Sequence, residues 1–565
     1  MSWIGYITTL VTLISAIGLI VTLFFSKDDI KKTLSGSVDR RMISALAASI
    51  AFFFIFSILF VAPIEQLYFD ENIYQGIALN ILHSGNAEWC QYGTGHLTHC
   101  FINEVYHDPA EWTVFIAIAF ALFGIGIKTA YALQLLAGGL SIFAIFLLAA
   151  VIFDKKKTTI TSVIIMALMP PLFIWARTQA VIDLPFMMLS IFAFFFFTMF
   201  MKRQNSKTLI LFLFSLILVV YSRIEAILML PIFLILFFTL GRQKIGETII
   251  RRLKVVKKTF AENVTVMSIL LVFVIMLFPQ VYYINLQLNS GNYGQSFTNQ
   301  KLFSFTNFRV NARDNALSLI GYYNNTYGFP DIFPWTVTVL AIVGIAFCIL
   351  KRNYKYKNIL LVSLLWFLFY FMFYGFFYAG SARFGVDSRF LLQMTPALVI
   401  LGAVGVEGIA NVVETVLKKK ARLKMMVYPI FVIVLVISPF AMYANLVTLK
   451  PSQMPQQIQI NKPVQFLYQN YNKVPNNCLV FSFTPDVWYE LNRSSVQIGY
   501  INNPQATFNN YKCFVLDYGY WCTVPPYRDT LCSSILSKYK MKTLVSGNAW
   551  GSYNVSLYQI MNYTP

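Results

Sequence analysis

The sequence predicts a polytopic α-helical membrane protein of about twelve transmembrane helices, followed by a small C-terminal extracytoplasmic α/β domain. Hydrophobic residues make up 57% of the 565-residue chain and charged residues only 12%, and the mean hydropathy is +0.62. A chain of this composition has lipid as its main solvent. Apolar stretches of roughly 17 to 25 residues, each long enough to cross the hydrocarbon core as a helix, recur up to residue 446 and then stop.

The predicted spans alternate with polar loops. Residues 3–25 are too long for the apolar core of a signal peptide and lack a basic start, so they predict a retained helix. Segments 208–222 and 226–240 are short and flank the polar cluster 221–225, so they are also compatible with one bent hairpin that stops short of the far face. The spans cover residues 3–25, 42–62, 131–153, 158–175, 184–201, 208–222, 226–240, 264–284, 332–350, 358–378, 390–411 and 427–446.

Basic residues predict the orientation of these helices, because loops rich in Lys and Arg resist translocation. Six alternate loops, of which 26–41 is the first, hold 27 of the 44 basic residues and are predicted to be cytoplasmic. Loop 63–130 has a single basic residue, Lys128, against seven acidic ones, and is predicted to lie outside. The net charge of +20 is then explained by contact with anionic lipid, and no nucleic-acid partner is expected.

The cysteines agree with this orientation, since disulfides persist in oxidising compartments and not in the cytosol. Cys348 lies in a predicted span, whereas the other six fall in segments predicted to lie outside. Cys90 and Cys100 form the natural pair in the first outer loop, while the four cysteines of the tail allow three pairings that the sequence leaves open. The six disulfide candidates are Cys90, Cys100, Cys478, Cys513, Cys522 and Cys532.

The composition changes near residue 447. Four prolines follow by residue 475, and strand-like runs begin at Cys478 and Cys513. We therefore expect two parts: residues 1–446 as the transmembrane domain, with its large outer loop 63–130, and residues 447–565 as an extracytoplasmic α/β domain that contains disulfides.

An acidic pair is the first candidate for chemistry. Asp70 and Glu71 follow the second predicted span, at the outer mouth of the bundle, where carboxylates are costly to keep for packing alone. The residues after them, including Tyr74, have the apolar spacing of a helix over 70–82, which predicts a short amphipathic helix on the membrane surface. The structural alternative is simple helix capping, since negative charge at a helix start is favourable by about 0.3 to 1 kcal/mol.

Three further polar turns lie on the predicted outer face. Arg177 and Asp183 occupy the turn before span 184–201, where Asp183 could instead cap a helix that has proline in its first turn. The other two turns contain Arg223 with Glu225, and Arg383 with Arg389. Arginine forks suit phosphate, and the alternative for each is a side chain that merely reaches the lipid interface.

The order of these features resembles the GT-C class of membrane glycosyltransferases, in particular the protein O-mannosyltransferase and aminoarabinose transferase group. That group has an acidic pair after an early spanning helix, as in the Phe-Asp-Glu sequence at 69–71, and an Arg-to-Asp turn after a proline-ended helix, as at 170–183. Its later Ser-Arg-Phe turn before a proline-containing helix resembles residues 388–390 with Pro396. The paired prolines late in its first loop are replaced here by residues 107–112, which include His107 and Glu111, and the cysteine-rich tail matches no domain of the group.

The resemblance implies a sugar donor carried on a polyprenyl or dolichyl monophosphate and an acceptor hydroxyl on a protein, glycolipid or glycan. Asp70 is expected to be the general base that deprotonates this hydroxyl, and displacement of the lipid phosphate inverts the anomeric centre. The leaving phosphate is expected to be held by arginine, with Arg389 first and Arg223 second. Asp183 would orient the acceptor or the sugar hydroxyls, and Glu71 would support the site.

The resemblance also implies a multi-pass protein of a cell membrane or secretory-pathway membrane, surrounded by lipid, with its active site on the extracytoplasmic side.

Metal binding is left open by the sequence. All four histidines, His83, His96, His99 and His107, lie in the first outer loop, and His96, His99, Cys90 and Cys100 are ligand types for zinc. A Cys90–Cys100 disulfide would remove two of those ligands. A divalent cation held by Asp70 and Glu71 is the other arrangement, because hard cations favour paired carboxylates.

Two other classes remain as alternatives. The first is a transporter or channel in which Asp70, Asp183 and Glu225 form an ion path, although these groups lie at one rim rather than midway through the helices. The second is a noncatalytic surface or assembly protein that acts through its outer tail.

Overall fold

We analysed a computed structural model of the chain. It describes residues 3–61, 70–93, 100–105, 111–153, 155–177, 182–240, 264–290, 301–321, 333–351, 353–378, 380–381, 386–416, 429–435, 437, 461–502, 506–523, 527–550 and 553–563. Within these helices and strands, the side chains at 70, 101–103, 288–290, 386–388, 461–462, 464, 506–507, 549–550 and 553 are not described.

Helices dominate the first 416 residues, as the sequence predicts. They are α1 Ile4–Phe25, α2 Lys27–Leu34, α3 Arg40–Phe60, α4 Asp70–Ser84, α5 Glu111–Phe123, α6 Ile127–Phe153, α7 Lys156–Ala167, α8 Pro170–Trp175, α9 Asp183–Arg203, α10 Ser206–Val220, α11 Met229–Thr239, α12 Val264–Ser290, α13 Phe305–Leu319, α14 Trp335–Lys351, α15 Tyr354–Phe376 and α16 Thr395–Val416. Short 3-10 helices cover Ile224–Leu228 and Val386–Gln393.

Seven helices in the described part of the chain are long and apolar enough to cross a membrane: α1, α3, α6, α9, α12, α15 and α16. The shorter helices α5, α10, α11 and α14 are also apolar. The chain is thus a multi-pass membrane protein. Predicted span 427–446 lies mostly outside the described residues.

One predicted span is wrong as a single helix. Segment 158–175 is divided into α7 and α8, with a break at Leu168 and Met169. Pro170 and Pro171 explain the break, since proline lacks an N–H donor and disfavours helical backbone in the residue before it. Met169 accordingly has an extended ψ of 116°.

Predicted span 390–411 begins too early for a similar reason. The continuous helix α16 starts at Thr395, directly before Pro396, and a 3-10 helix precedes it. Proline is favoured in the first turn of a helix. This places Arg389 in the 3-10 segment, before the membrane helix.

Helix α4 forms where the sequence predicts it but is not a half-exposed surface helix. All residues from Glu71 to Ile81 are buried. The helix packs against α5, against the strand Trp89–Gly93 and against the C-terminal helix Pro485–Glu490. The amphipathic prediction fails because a second layer of protein covers the face that was expected to meet water.

The C-terminal part contains most of one seven-stranded sheet and, among the described residues, three α-helices. The strands are β1 Trp89–Gly93, β2 Cys100–Glu104, β3 Cys478–Ser482, β4 Ser495–Gln497, β5 Cys513–Tyr518, β6 Met541–Trp550 and β7 Tyr553–Ile560. Helices α17 Asn461–Asn470, α18 Pro485–Glu490 and α19 Ser533–Lys538, with a π-helical turn Arg528–Cys532, accompany them.

The strand order is β2-β1-β4-β3-β5-β7-β6. Strand β3 is parallel to both β4 and β5, and the other pairs are antiparallel. Strands β1 and β2 come from the loop 63–130, so the sheet extends across the predicted division at residue 447.

Three disulfides stabilise this region. Cys90 joins Cys100 across the β1–β2 hairpin. In the tail, Cys478 joins Cys513 across the parallel strands β3 and β5, and Cys522 joins Cys532. Cys348 is a free thiol buried in α14.

Candidate active site

Four charged side chains predicted from the sequence lie together at one end of the helix bundle. Asp183 is the first residue of α9, Arg223 and Glu225 lie in the turn after α10, and Arg389 lies in the 3-10 helix before α16. The polypeptide brings them together because α9 and α10 pack side by side, and the 3-10 helix packs against the start of α9. We refer to these four residues as the Arg223 cluster.

Arg223 is the centre of the cluster. Its guanidinium donates to Oδ1 of Asp183 and lies 2.6 Å from Oε1 of Glu225, measured from Nε. Nη1 of Arg389 lies 3.9 Å from Oδ2 of Asp183. Two arginines and two carboxylates balance in charge, which is what burial of ionised groups requires.

Three neighbours hold the cluster in place. The Tyr374 hydroxyl donates to Oε1 of Glu225 at 2.9 Å. The Gln393 amide donates to the backbone carbonyl of Asp183 at 2.9 Å. The ring of Phe390 stacks on Tyr374 and lies within 5.6 Å of both guanidinium carbons, a distance at which cations are attracted to aromatic faces.

Exposure is graded across the cluster. The Asp183 side chain is 0% exposed, those of Arg223 and Glu225 are 9% and 7% exposed, and that of Arg389 is 15% exposed. Arg389 is therefore the outermost charge and has the longest ion-pair distance of the set. An anion that approached the cluster would meet Arg389 first.

Glu111 lies next to the turn that carries Arg223. The backbone N–H of Glu111 donates to the carbonyl of Tyr221 at 3.2 Å. Its carboxyl group is fully buried, and neither oxygen has a hydrogen-bond partner among the described residues. A buried polar group in this state is costly, which makes Glu111 a candidate for contact with a bound ligand.

The acidic pair occupies the start of α4. Glu71 is fully buried, and Tyr74 is 2% exposed. Asp70 begins the helix, and its side chain is not described. Helix α4 packs on α5, whose first residue is Glu111.

Arg177 has a different environment from the other arginines. Its Nε donates to the carbonyl of Val61 at 3.1 Å, and its guanidinium carbon lies 6.0 Å from the centre of the Tyr131 ring. It thereby binds the chain just beyond the end of α3, at the point from which the chain leads to Asp70. Within the described residues, it forms no hydrogen bond or ion pair with the Arg223 cluster.

The described part of the chain contains no group of three or more His, Cys, Asp or Glu side chains that could hold a metal ion. Neither of the two metal sites considered from the sequence is therefore supported by a ligand set among these residues. Cys90 and Cys100 are joined in a disulfide, and His83 is exposed. The candidates Arg383, His96, His99 and His107 lie outside the described residues.

Sequence reasoning missed Tyr374 and Gln393, and it identified Phe390 only as part of the Ser-Arg-Phe turn. Tyr370 and Tyr374 are spaced four apart on an otherwise apolar helix, which puts two polar groups on one face and could have marked that face as facing a polar site. Gln393 and Phe390 follow Arg389 so closely that only the 3-10 geometry of Val386–Gln393 decides where they point.

A large apolar groove of about 900 Å³ runs along α1, α6 and α9. On α9 it is lined by residues such as Met188 and Phe192. Phe192 is nine residues after Asp183, which is two and a half helical turns, so the two side chains project from opposite sides of the helix. The groove and the Arg223 cluster are therefore separate features of α9.

Comparison with known proteins finds one matching family model and several structures of similar fold. A family model for dolichyl-phosphate-mannose-protein mannosyltransferase matches residues 109–253. Two crystal structures of ArnT from Cupriavidus metallidurans, one in the apo state and one bound to undecaprenyl phosphate, have TM-scores of 0.56 and 0.55. Each is 12% identical in sequence, and each match covers 92% of this chain and 97% of that chain.

A crystal structure of the Archaeoglobus fulgidus oligosaccharyltransferase in complex with Zn and sulfate matches with a TM-score of 0.48 and 11% identity, covering 84% of this chain and 68% of that chain. No curated protein sequence matches the chain significantly.

The family-model match and the two ArnT structures confirm the predicted resemblance to the GT-C membrane glycosyltransferases. The chain has their fold, and residues 109–253, which include Glu111, Arg177, Asp183, Arg223 and Glu225, match the mannosyltransferase model.

Proposed function

We propose that the chain is a glycosyltransferase that moves a sugar from a polyprenyl or dolichyl phosphate to an acceptor hydroxyl on the extracytoplasmic side of the membrane. The family-model match and the shared fold support glycosyl transfer. The ArnT structure bound to undecaprenyl phosphate supports a lipid phosphate as the carrier. The observation that carries the proposal is the buried Arg223 cluster, which presents Arg389 at its exposed edge.

In the proposed reaction, the acceptor oxygen attacks the anomeric carbon while Asp70 takes the hydroxyl proton. The bond between that carbon and the phosphate oxygen breaks, and the lipid phosphate leaves with the electron pair. This direct displacement inverts the anomeric centre. Glu71 follows the proposed base directly in the sequence, and its side chain is buried. We assign it a supporting role, in which it helps to position the start of α4.

Arg389 is the proposed phosphate ligand. Arg223 already binds two carboxylates at short distance, so its charge is largely used within the protein. The Arg389 guanidinium lies farther from Asp183 and closer to solvent. Developing negative charge on the leaving phosphate would be stabilised there by a donor that needs little reorganisation.

This geometry suggests a changed role for Asp183. The sequence suggested that it contacts the acceptor or sugar hydroxyls, but the side chain is fully buried against Arg223. We propose that Asp183 is a positioning residue that holds Arg223 and Arg389 in place. Glu111, with its unpartnered buried carboxyl, is the better candidate for contact with a substrate hydroxyl.

Binding of the lipid phosphate tests the role of Arg389. We expect Arg389→Gln to weaken binding of undecaprenyl phosphate to the purified protein in nanodiscs by about 10- to 100-fold, because a hydrogen bond to a charged group contributes about 1.5 to 3 kcal/mol. The matched control is Arg203→Gln, at the opposite end of α9, where Arg203 donates to Thr33. Equal affinities in the two variants would contradict the proposal.

Transfer of label tests Asp70. Dolichyl phosphate mannose and an undecaprenyl phosphate sugar, each radiolabelled in the sugar, are supplied with source-cell membranes as acceptors. We expect Asp70→Asn to lose transfer while it keeps lipid-phosphate binding, and Asp28→Asn, which alters an acidic residue in α2, to retain both. Full transfer by a folded Asp70→Asn protein would overturn the mechanism. Ion flux through proteoliposomes that is lost in the same variant would favour a transporter.

A further inference from the structure

The C-terminal sheet contains a topological feature that is common at ligand sites. The chain passes from β3 to its neighbour β4 on one side and then returns to β5 on the other side of β3, and all three strands are parallel. The order therefore reverses between β3 and β5. In open α/β sheets, ligands bind outside the carboxyl ends of the strands at such a point.

A small pocket lies at this point. Its walls include residues that follow the ends of β3 and β5, together with two apolar residues of α17. Its cavity volume is about 20 Å³, which is room for one water-sized group. The lining residues that matter below are Ser482, Thr484, Asp517, Gly519, Tyr520 and Trp521.

Asp517 gives the pocket a polar group with unused capacity. The residue is 4% exposed, and its Oδ2 accepts hydrogen bonds from the Ser482 hydroxyl at 2.7 Å and from the Trp488 indole at 2.9 Å. Its Oδ1 is buried and has no hydrogen-bond partner among the described residues. Burial raises the pKa of this carboxyl, so a donor from a ligand would remove a real cost.

Gly519 leaves the space beside that oxygen open. A Cβ atom at this position would lie 3.1 Å from Oδ1 of Asp517. Because glycine has no side chain, a ligand atom can occupy this space instead.

The chemistry of the lining narrows the ligand class. None of the described residues that line the pocket is basic, which disfavours phosphate. One carboxylate does not supply the six to eight oxygen ligands that Ca²⁺ takes. Aromatic side chains with a few polar groups are typical of sites for small organic ligands, and Tyr520 and Trp521 would pack against the apolar face of a sugar ring.

We propose that this pocket takes one hydroxyl of a neutral sugar, which donates to Oδ1 of Asp517, while the sugar ring lies outside the cavity against Tyr520 and Trp521. The site lies in the C-terminal sheet and does not include the Arg223 cluster. The saccharide proposal can therefore be tested independently of the proposed transfer reaction.

Saturation-transfer NMR on the full-length protein in nanodiscs tests the proposal. The probe is a mixture of the methyl glycosides of mannose, glucose, galactose and N-acetylglucosamine. We expect at least one of them to receive saturation from the wild-type protein. Its affinity should fall about 10-fold or more in Asp517→Asn, which replaces the acceptor oxygen or its neighbour with a donor, and in Gly519→Ala, which fills the space beside Oδ1.

Asp529→Asn is the matched control, because it removes an exposed carboxylate that pairs with Arg528 at 2.7 Å in the same part of the chain. It should bind like the wild type. Gly519→Ala keeps the Asp517 bond to Trp488, so it remains informative if Asp517→Asn does not fold. Absence of saturation from the wild-type protein to all four sugars, or unchanged affinity in Gly519→Ala, would overturn the proposal.

Discussion

Gly76 of helix α4 lies directly against Asp486 of the C-terminal helix α18, so closely that a Cβ atom at Gly76 would overlap Oδ1 of Asp486. Both oxygens of Asp486 also lie within 3.2 Å of the Trp89 indole nitrogen, which donates to them. Helix α4 begins at Asp70, the proposed base. The C-terminal sheet region therefore fixes the helix that carries the proposed base.

This contact predicts that Gly76→Ala destabilises the protein. The added methyl group cannot be accommodated unless Asp486 moves, and overpacking of a buried contact costs about 1 to 3 kcal/mol. The variant should melt at a lower temperature in detergent and transfer sugar more slowly, because the start of α4 shifts.

The control for this substitution is Gly402→Ala in α16, where the nearest atom to the added Cβ would be 3.5 Å away. Such a substitution in a helix interior should be neutral or slightly stabilising, since alanine favours helix over glycine. Similar melting temperatures for the two variants would show that the contact between α4 and Asp486 is not tight.

The same carboxyl predicts a pH dependence. Burial, which is the largest effect, and the nearby Glu490 raise the pKa of Asp486 well above its ordinary value, whereas the Trp89 indole acts in the opposite direction. The protonated Asp486 carboxyl therefore contributes to the stability of the folded protein. This contribution is fully present below the unfolded-state pKa of about 3.9 for aspartate, and it is lost as the pH rises through the higher pKa of Asp486 in the folded state.

Asp486→Asn removes this proton linkage. We expect the melting temperature of the variant, measured relative to the wild type, to rise as the pH increases from about 4 towards the raised folded-state pKa of Asp486. A difference that stays constant across this range would mean that Asp486 does not titrate with a raised pKa.

Tyr374→Phe tests the hydrogen bond that supports the Arg223 cluster. Loss of a hydroxyl that donates to the Glu225 carboxylate should lower the free energy of unfolding by about 1 to 3 kcal/mol. Tyr370→Phe is a matched control one turn away on α15, since Tyr370 is equally buried and its hydroxyl has no hydrogen-bond partner among the described residues. Thermal unfolding should show a larger loss of stability for Tyr374→Phe than for Tyr370→Phe. Equal losses of stability in the two variants would contradict the prediction.

Two disulfides of the C-terminal part are predicted to differ in their contributions. Cys478 and Cys513 are 35 residues apart, whereas Cys522 and Cys532 are 10 apart. If constraint of the unfolded chain is the main effect, replacing the first pair with serine should cost about 1 kcal/mol more than replacing the second. Urea unfolding followed by tryptophan fluorescence measures both, and a larger loss for the shorter loop would contradict this account.

Much of the site was predictable because its parts are local. Asp183 precedes Pro185 at a helix start, and Arg223, Glu225 and Arg389 interrupt otherwise apolar sequence, which marks each as unusual in lipid. The break before Pro170 is likewise local, because two successive prolines disfavour a continuous helix. The sequence does not show which of these charged residues pair with each other. Arg223 is 40 residues from Asp183 along the chain, yet the two side chains are in direct contact.

By itself, the sequence determined the membrane class, the helical segments, the polar turns and the disulfide-containing tail, because hydropathy, proline positions and cysteine usage act over short stretches of chain. Tertiary structure decided that α4 is buried, that β1 and β2 extend the C-terminal sheet, and that Trp89 meets Asp486 across 397 residues. These contacts form between surfaces that are far apart in the sequence. Local sequence patterns do not indicate which of those surfaces pack against each other.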